Sequence, residues 1–456
     1  MAFLLLLCLA TAAGFAPQCQ LSLAGPEAVL ISSADLCPLE HAGDRGQDVA
    51  ARAYRGSDGT VYLIANNEAG NYRSAAPPNS STFARQCAAP PFLSQARSGG
   101  SAAGATFPAL YASPLDANGD CYLGGPASRP GSCWQNATLQ SGGQALGLYS
   151  PNQFFMATWA AGGSVVHAFG QATLYGNGAV NPLLPGCWAA CPPGHSGSFF
   201  QYMTGLRSSD GGASFALVDT AQLGAGVFVP SQPFSASNAG NSYISSMTNV
   251  VRVPGAAPST LYTQTHGFGD CLWRTLDIED PLGWRAWDGT DFTIPSQSPY
   301  SEPGAGAALN CSSSTGATQL GSITWSDVCG AWVAVGGRAV AGHSGPVVSY
   351  STSSDLLHWS EAAFLMQAQG GSGQADNYAA LLDLGYAHAG ENFECSGPAP
   401  LLVYRRMDAD SKGATTYARA LAVAAVPGRS PATLPNPPVL CANEGSWEGE
   451  AAGKKN

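Results

Sequence analysis

The stretch Ser351-Thr-Ser-Ser-Asp355-Leu-Leu-His358-Trp359-Ser360 restricts the fold more than any other part of the chain. A strand ending at Tyr350 runs into Ser-Ser-Asp, and a tryptophan follows the aspartate at four residues. The same grammar recurs in Arg207-Ser-Ser209-Asp210-Gly-Gly212-Ala-Ser-Phe215 and in Arg274-Thr-Leu-Asp277-Ile-Glu-Asp-Pro-Leu-Gly-Trp284. Each copy reads as a strand, an Asp-led turn and an aromatic that opens the next strand. The carboxylate accepts backbone N–H groups in such a turn, and the ring covers the sheet edge. The three aspartates lie about 70 to 80 residues apart, the spacing of a degenerate repeat with one small sheet per unit. Repeated sheets of short strands predict an all-β β-propeller.

The strand runs sort into five units, so a five-bladed propeller stabilised by disulfides is expected. In the first, Asp48 to Arg55 and Thr60 to Ala65 flank Gly56-Ser-Asp58-Gly59, a hairpin signal. The second has strands over 154–160, 164–170 and 199–206. The third runs 242–253, 259–265 and 271–276, with an outer strand from Trp284. The fourth runs 320–326, 331–336 and 347–350, and the fifth 378–384, 401–405 and 416–426. The propeller is thus expected over 48–426, with a disulfide-tied insert at about 74–146, a leader over 17–47 and a polar tail over 427–456.

Residues 1–16 read as a secretory signal peptide, with an apolar run from Phe3 to Leu9 and small residues from Ala10 to Ala16. The expected location is therefore extracellular. Of the 13 cysteines, Cys8 leaves with the signal, and an even number remains. In a secreted chain that predicts disulfides and no free thiol, but not their connectivity. Asn79, Asn136 and Asn310 are glycosylation sequons. A net charge of -11 argues against nucleic acid or anionic lipid as partners, and leaves a neutral sugar open. A monomer with no membrane contact after signal removal is expected.

The residues also resemble known families. Ser354-Asp355-Leu-Leu-His-Trp359 is similar to strands of the five-bladed furanosidase propellers of the arabinanase and invertase type. Ser209-Asp210-Gly-Gly212-Ala-Ser-Phe215 looks like the Asp box of sialidases. Residues 44–426 resemble a group of secreted bacterial and algal sialidase-like proteins of undefined activity. That match lies in Asp48-Val-Ala-Ala-Arg52-Ala-Tyr-Arg55, Trp284-Arg-Ala-Trp287-Asp-Gly289 and Asn392-Phe393-Glu394. Members of that group carry His-Asn-Glu-Tyr where this chain reads Gly170-Gln171-Ala172-Thr173-Leu174-Tyr175, so the resemblance implies a missing carboxylate here. It implies a propeller and leaves the reaction open.

Candidate site residues follow from where propeller strands converge. Asp48 and Arg52 share strand parity, so both point to one face. Asp48 is a candidate acid, base or nucleophile, and Glu394 the preferred second carboxylate, as glycoside hydrolysis requires. Arg52 is a candidate fork for a hydroxyl-rich or carboxylate ligand, or half of a structural ion pair. Asn67, Gln171, His266, Arg274 and Tyr378 are further binding candidates, with Glu302 also at the inner rim. In a sialidase-like variant Arg52, Arg274 and Arg405 would form the arginine cluster and Tyr404 the nucleophile. Asp210, Asp277 and Asp355 are read as structural turn residues. No metal or cofactor is expected: Asp116-Ala-Asn118-Gly-Asp120 lacks the later residues of a calcium loop, and Cys187, Cys191 and His195 fit a disulfide better than zinc. Two functions compete, a secreted glycoside hydrolase acting on extracellular glycan and a non-catalytic glycan-binding propeller.

Overall fold

The computed structural model describes residues 17–31, 45–46, 50–75, 120–126, 154–175, 199–230, 242–296, 311, 319–369, 377–407 and 413–427, with short gaps inside several of these ranges. Residues 1–16, Asn79, Asn136, Asn310, Asp48, Glu302, the calcium-like loop except Asp120, and Cys187 to His195 lie outside the described residues.

Every regular element among the described residues is a strand. Four sheets of three or more strands stand in a propeller-like arrangement, and a two-stranded ladder joins Asp120–Cys121 to Gly125–Pro126. The three-stranded sheet is Arg52–Arg55, Val61–Asn67 and Gly70–Ala75. Its hairpin closes with Gly59 at φ 79°, a value that favours glycine. The five-stranded sheet runs outward from Gln319–Ser326 through Ala331–Gly337 and Val347–Ser353 to Ala363–Gln367, with Cys395–Ser396 on its inner side. The six-stranded sheet contains Asn377–Leu382, Leu401–Met407 and Gly413–Ala425.

Five units were expected, whereas four sheets of three or more strands are found among the described residues. The eleven-stranded sheet contains an antiparallel meander from Phe154–Ala160 to Phe199–Ser208 and another from Ser242–Met247 to Phe292–Pro295. A short parallel ladder, Phe200 to Ser242 and Gln201 to Tyr243, fuses them.

The leader also joins the fold. Cys19–Leu23 and Ala28–Ile31, both within the leader, pair antiparallel with Gly413–Ala425. The chain's beginning thus completes the sheet formed by its end. The Cys19–Cys329 disulfide ties this edge to the neighbouring five-stranded sheet, and Cys271–Cys311 closes a more local loop.

Strand alternation builds the core. Within Ala331–Gly337, Trp332 and Ala334 pack with Val251, Leu272 and Phe292, while Val333 and Val335 pack with Leu381, Leu402 and Leu421. Successive side chains point to opposite faces, so a strand sandwiched between two neighbouring sheets is apolar on both. The other junctions repeat this. Tyr54 and Ile64 meet Phe155 and Leu206; Met156 and Phe169 meet Met247 and Trp273; Leu382 and Val403 meet Ala53 and Leu63.

The Asp-led turns lie on the outer strands. The Asp355 carboxylate accepts the N–H groups of Leu357 and His358 at 2.9 and 2.8 Å. His358 and these backbone donors hold its pKa below the usual carboxylate value, against the effect of burial. Leu356 takes φ 66° inside this turn. Trp359 is buried against Trp325 and Trp332, and its Nε1 donates to Leu356 O at 2.9 Å. Trp359→Ala should therefore cost about 3–5 kcal/mol, read as a lower urea midpoint, with any ligand affinity kept. Lost affinity at unchanged stability would place Trp359 in a site instead.

The sheets approach closely at the axis. A Cβ on Gly321 would stand 1.8 Å from Ala379 O, a backbone atom of the next sheet. Gly321→Ala should destabilise by at least about 3 kcal/mol in the same assay, because neither backbone can yield.

Candidate functional site

The inner strands Arg52–Arg55, Phe154–Ala160, Ser242–Met247, Gln319–Ser326 and Asn377–Leu382 converge on Arg52. Arg52 Nε donates to Met156 O at 2.6 Å, and Nη2 donates to Met247 O at 3.1 Å and Gly321 O at 2.8 Å. One guanidinium thus joins three inner strands, from two other sheets, at one level of the axis. It is 4% exposed, and burial pushes its pKa down to about 9, which leaves it charged at neutral pH. The candidate ligand fork is occupied by backbone.

Beyond Arg52, toward the ends of the inner strands, the segment 385–397 closes the axis. The Asn392 side chain pairs with Ala160 as a strand would, its Oδ1 accepting Ala160 N–H and its Nδ2 donating to Ala160 O at 3.1 Å. Asn249 does the same to Ile323, at 2.8 Å for each bond. Glu391 O accepts Arg55 N–H, and Glu394 O accepts Trp325 N–H at 2.7 Å. Glu394 is 2% exposed. Its Oε2 lies 3.1 Å from where a Gly390 Cβ would be, and Gly390 takes φ 74°. Arg274 faces the same end: its strand pairs Arg274 with Tyr262, well past His266, and the guanidinium covers Phe292 and reaches Asp291 at 3.5 Å.

The opposite end, where the inner strands begin, collects most of the other candidates. Gln171 pairs in register with Phe154 and Arg405 with Asn377, each at the start of an inner strand, while His266 pairs with Ser246, one residue before Met247 and so close to the level of Arg52. Asn67 stands three residues past Ile64, the register partner of Arg52, on the same side. His266 is buried, and its Nδ1 lies 3.0 Å from Oδ1 of the half-exposed Asp270. The Arg405 guanidinium sits 5.5 Å over the Tyr378 ring. Tyr378 has φ 52°, strained for a residue with a Cβ. The other two non-glycine residues with positive φ among the described residues are Leu356, in the Asp355 turn, and Phe393, buried beneath the axis. Tyr378 is the one at the mouth.

The candidates therefore divide. Gln171 and Tyr378 are brought to one end together with the Asn67 backbone, His266 stands near the level of Arg52 below them, and Glu394 and Arg274 are at the other end. Tyr404 faces neither. Its hydroxyl donates to Glu27, which Arg406 also grips at 2.8 and 2.9 Å, fastening the leader to the last sheet. Asp270 was missed; its only sequence signal is the His266-Gly-Phe-Gly-Asp270 spacing. Among the described residues no group of three or more His, Cys, Asp or Glu could hold a metal ion.

No protein-family model matches this chain, and no curated protein matches it. Solved structures similar to it include β-1,2-mannobiose phosphorylase from Listeria innocua, at TM-score 0.32 and 12% identity over 57% of this chain and 69% of that one. A GH62 α-L-arabinofuranosidase from Coprinopsis cinerea follows at TM-score 0.26 and 10% identity, over 59% and 91%. A GH32 β-fructofuranosidase from Bombyx mori gives TM-score 0.26 and 13% identity, over 59% and 50%. At these scores the likenesses carry no argument about what this protein does.

Proposed function

We propose that this protein is a secreted, carbohydrate-active propeller of five blades, which takes an extracellular glycan at the mouth where its inner strands begin. The five-unit reading is supported by apolar clusters at each successive junction of the units, including the one between the last unit and the first. The observation that carries the glycan site is Tyr378. A strained backbone persists where the surroundings over-determine it, and such residues gather at ligand sites. The ring is held against Arg405 and is partly open, a rigid apolar plate suited to the C–H face of a sugar. Gln171, and His266 with Asp270, would supply hydrogen bonds to hydroxyls. Arg52 would act as a positioning residue beneath them.

Hydrolysis would need two carboxylates across the scissile bond. Asp48, four residues before Arg52 in the sequence and outside the described residues, is the proposed catalytic acid or base. The second reading, a non-catalytic glycan binder, is favoured by the place of Glu394, buried at the far end of the inner strands. A panel of aryl arabinofuranosides, fructosides and sialosides separates the two. Turnover that disappears in Asp48→Asn supports the hydrolase; glycan binding without turnover in the wild type supports the binder. Neither turnover nor binding on the panel would contradict the proposal.

A further inference from the structure

We propose that a single chloride ion occupies the cavity on the propeller axis and serves as the counter-charge of Arg52. The cavity has a volume of about 10 Å³, room for one water-sized particle. Arg52, Thr158, Asn249, Ser322, Asn392 and Phe393 are among the residues lining it. Arg52 Nε and Nη2 are spent on the three carbonyls, but Nη1 is fully buried and has no hydrogen-bond partner. Thr158 Oγ1 is buried and unpartnered in the same way. A second buried polar group without a partner in one small cavity points to an occupant.

The chemistry of the lining selects its charge. Nη1 can only donate. Ser322 Oγ already accepts Leu381 N–H at 2.8 Å, so its own proton remains to be given. The amide nitrogens of Asn249 and Asn392 each give one proton to a carbonyl and carry a second. The described lining residues include no carboxylate. A water molecule would bring two protons that need acceptors into a cavity rich in donors. A halide brings none, accepts from every side, and offsets a cation that burial penalises. The site is independent of whatever the mouth binds.

Two measurements test this. Crystals grown or soaked in sodium bromide should show one anomalous peak within about 3.5 Å of Arg52 Nη1, the reach of a hydrogen bond to a large anion. The thermal midpoint should be about 2 °C higher in 150 mM sodium chloride than in sodium gluconate of equal ionic strength, with a saturable dependence. Thr158→Val, which removes one donor and keeps the shape, should weaken that chloride dependence. A cavity filled without anomalous signal means water only and overturns the proposal, as do equal midpoints in the two salts.

Discussion

Arg52→Met should lower stability by about 3–6 kcal/mol, the largest loss expected from any one side chain at the axis. The substitution leaves Met156 O, Met247 O and Gly321 O without their donor. Each buried carbonyl stripped of its partner costs about 1–3 kcal/mol, partly offset because a desolvated cation is removed with it. Arg52→Lys should recover little. An ammonium is a point donor and cannot span three carbonyls contributed by three inner strands, as a planar fork does. Urea unfolding of both variants checks this. A midpoint shift below that of a surface substitution would mean that the three bonds do not hold the units together.

The Cys19→Ser, Cys329→Ser double variant should lose a comparable amount. The bond joins residues 310 apart in sequence. Closing so long a loop removes on the order of 5–6 kcal/mol of chain entropy from the unfolded state, and measured values usually fall below that bound. We expect a loss of about 3–5 kcal/mol. The effect should concentrate at the N-terminal strand, since the ladder from Cys19–Ala425 to Leu23–Leu421 would then hold by hydrogen bonds and apolar contacts alone. Limited proteolysis should cut near residue 25 in the variant before the wild type. Equal midpoints and equal cleavage would show that the edge strand does not depend on its covalent tie.

Local signals in the sequence were strong enough to read the strands. The continuous apolar run of Ala331–Gly337, the Gly-marked hairpins and the Asp-led turn before Trp359 each state their structure within a few residues. Cys19–Leu23 alternates, but five residues beside a presumed signal peptide are too short to stand out. What could not be read depends on residues far apart in the chain. Nothing near Cys19 points to Cys329. Nothing near Gly321 announces Ala379 O, and Asn392 gives no sign that it completes the backbone pairing of Ala160. Nothing near Arg52 shows that the carbonyls of Met156, Met247 and Gly321, each more than 100 residues away, occupy it. Glu394 was the preferred second carboxylate, in the segment Glu391-Asn-Phe-Glu394-Cys395 of the last unit. Its place at the far end of the inner strands follows from a long-range parallel pairing, Trp325 with Cys395, that no local signal announces.

Tyr378→Gly tests the glycan site most directly. Glycine accepts φ 52° without strain, so the substitution relieves a backbone cost of about 1–3 kcal/mol while it removes the ring from Arg405. The thermal midpoint should stay within a few degrees of the wild type or rise. Binding to the oligosaccharide that the wild type selects from an arabinan, fructan and sialoside panel should weaken at least tenfold, about 1.4 kcal/mol. Stability kept and affinity lost is the signature of an aromatic maintained for a ligand. Unchanged affinity in Tyr378→Gly, measured by calorimetry against the same oligosaccharide, would contradict the placing of the glycan at this mouth.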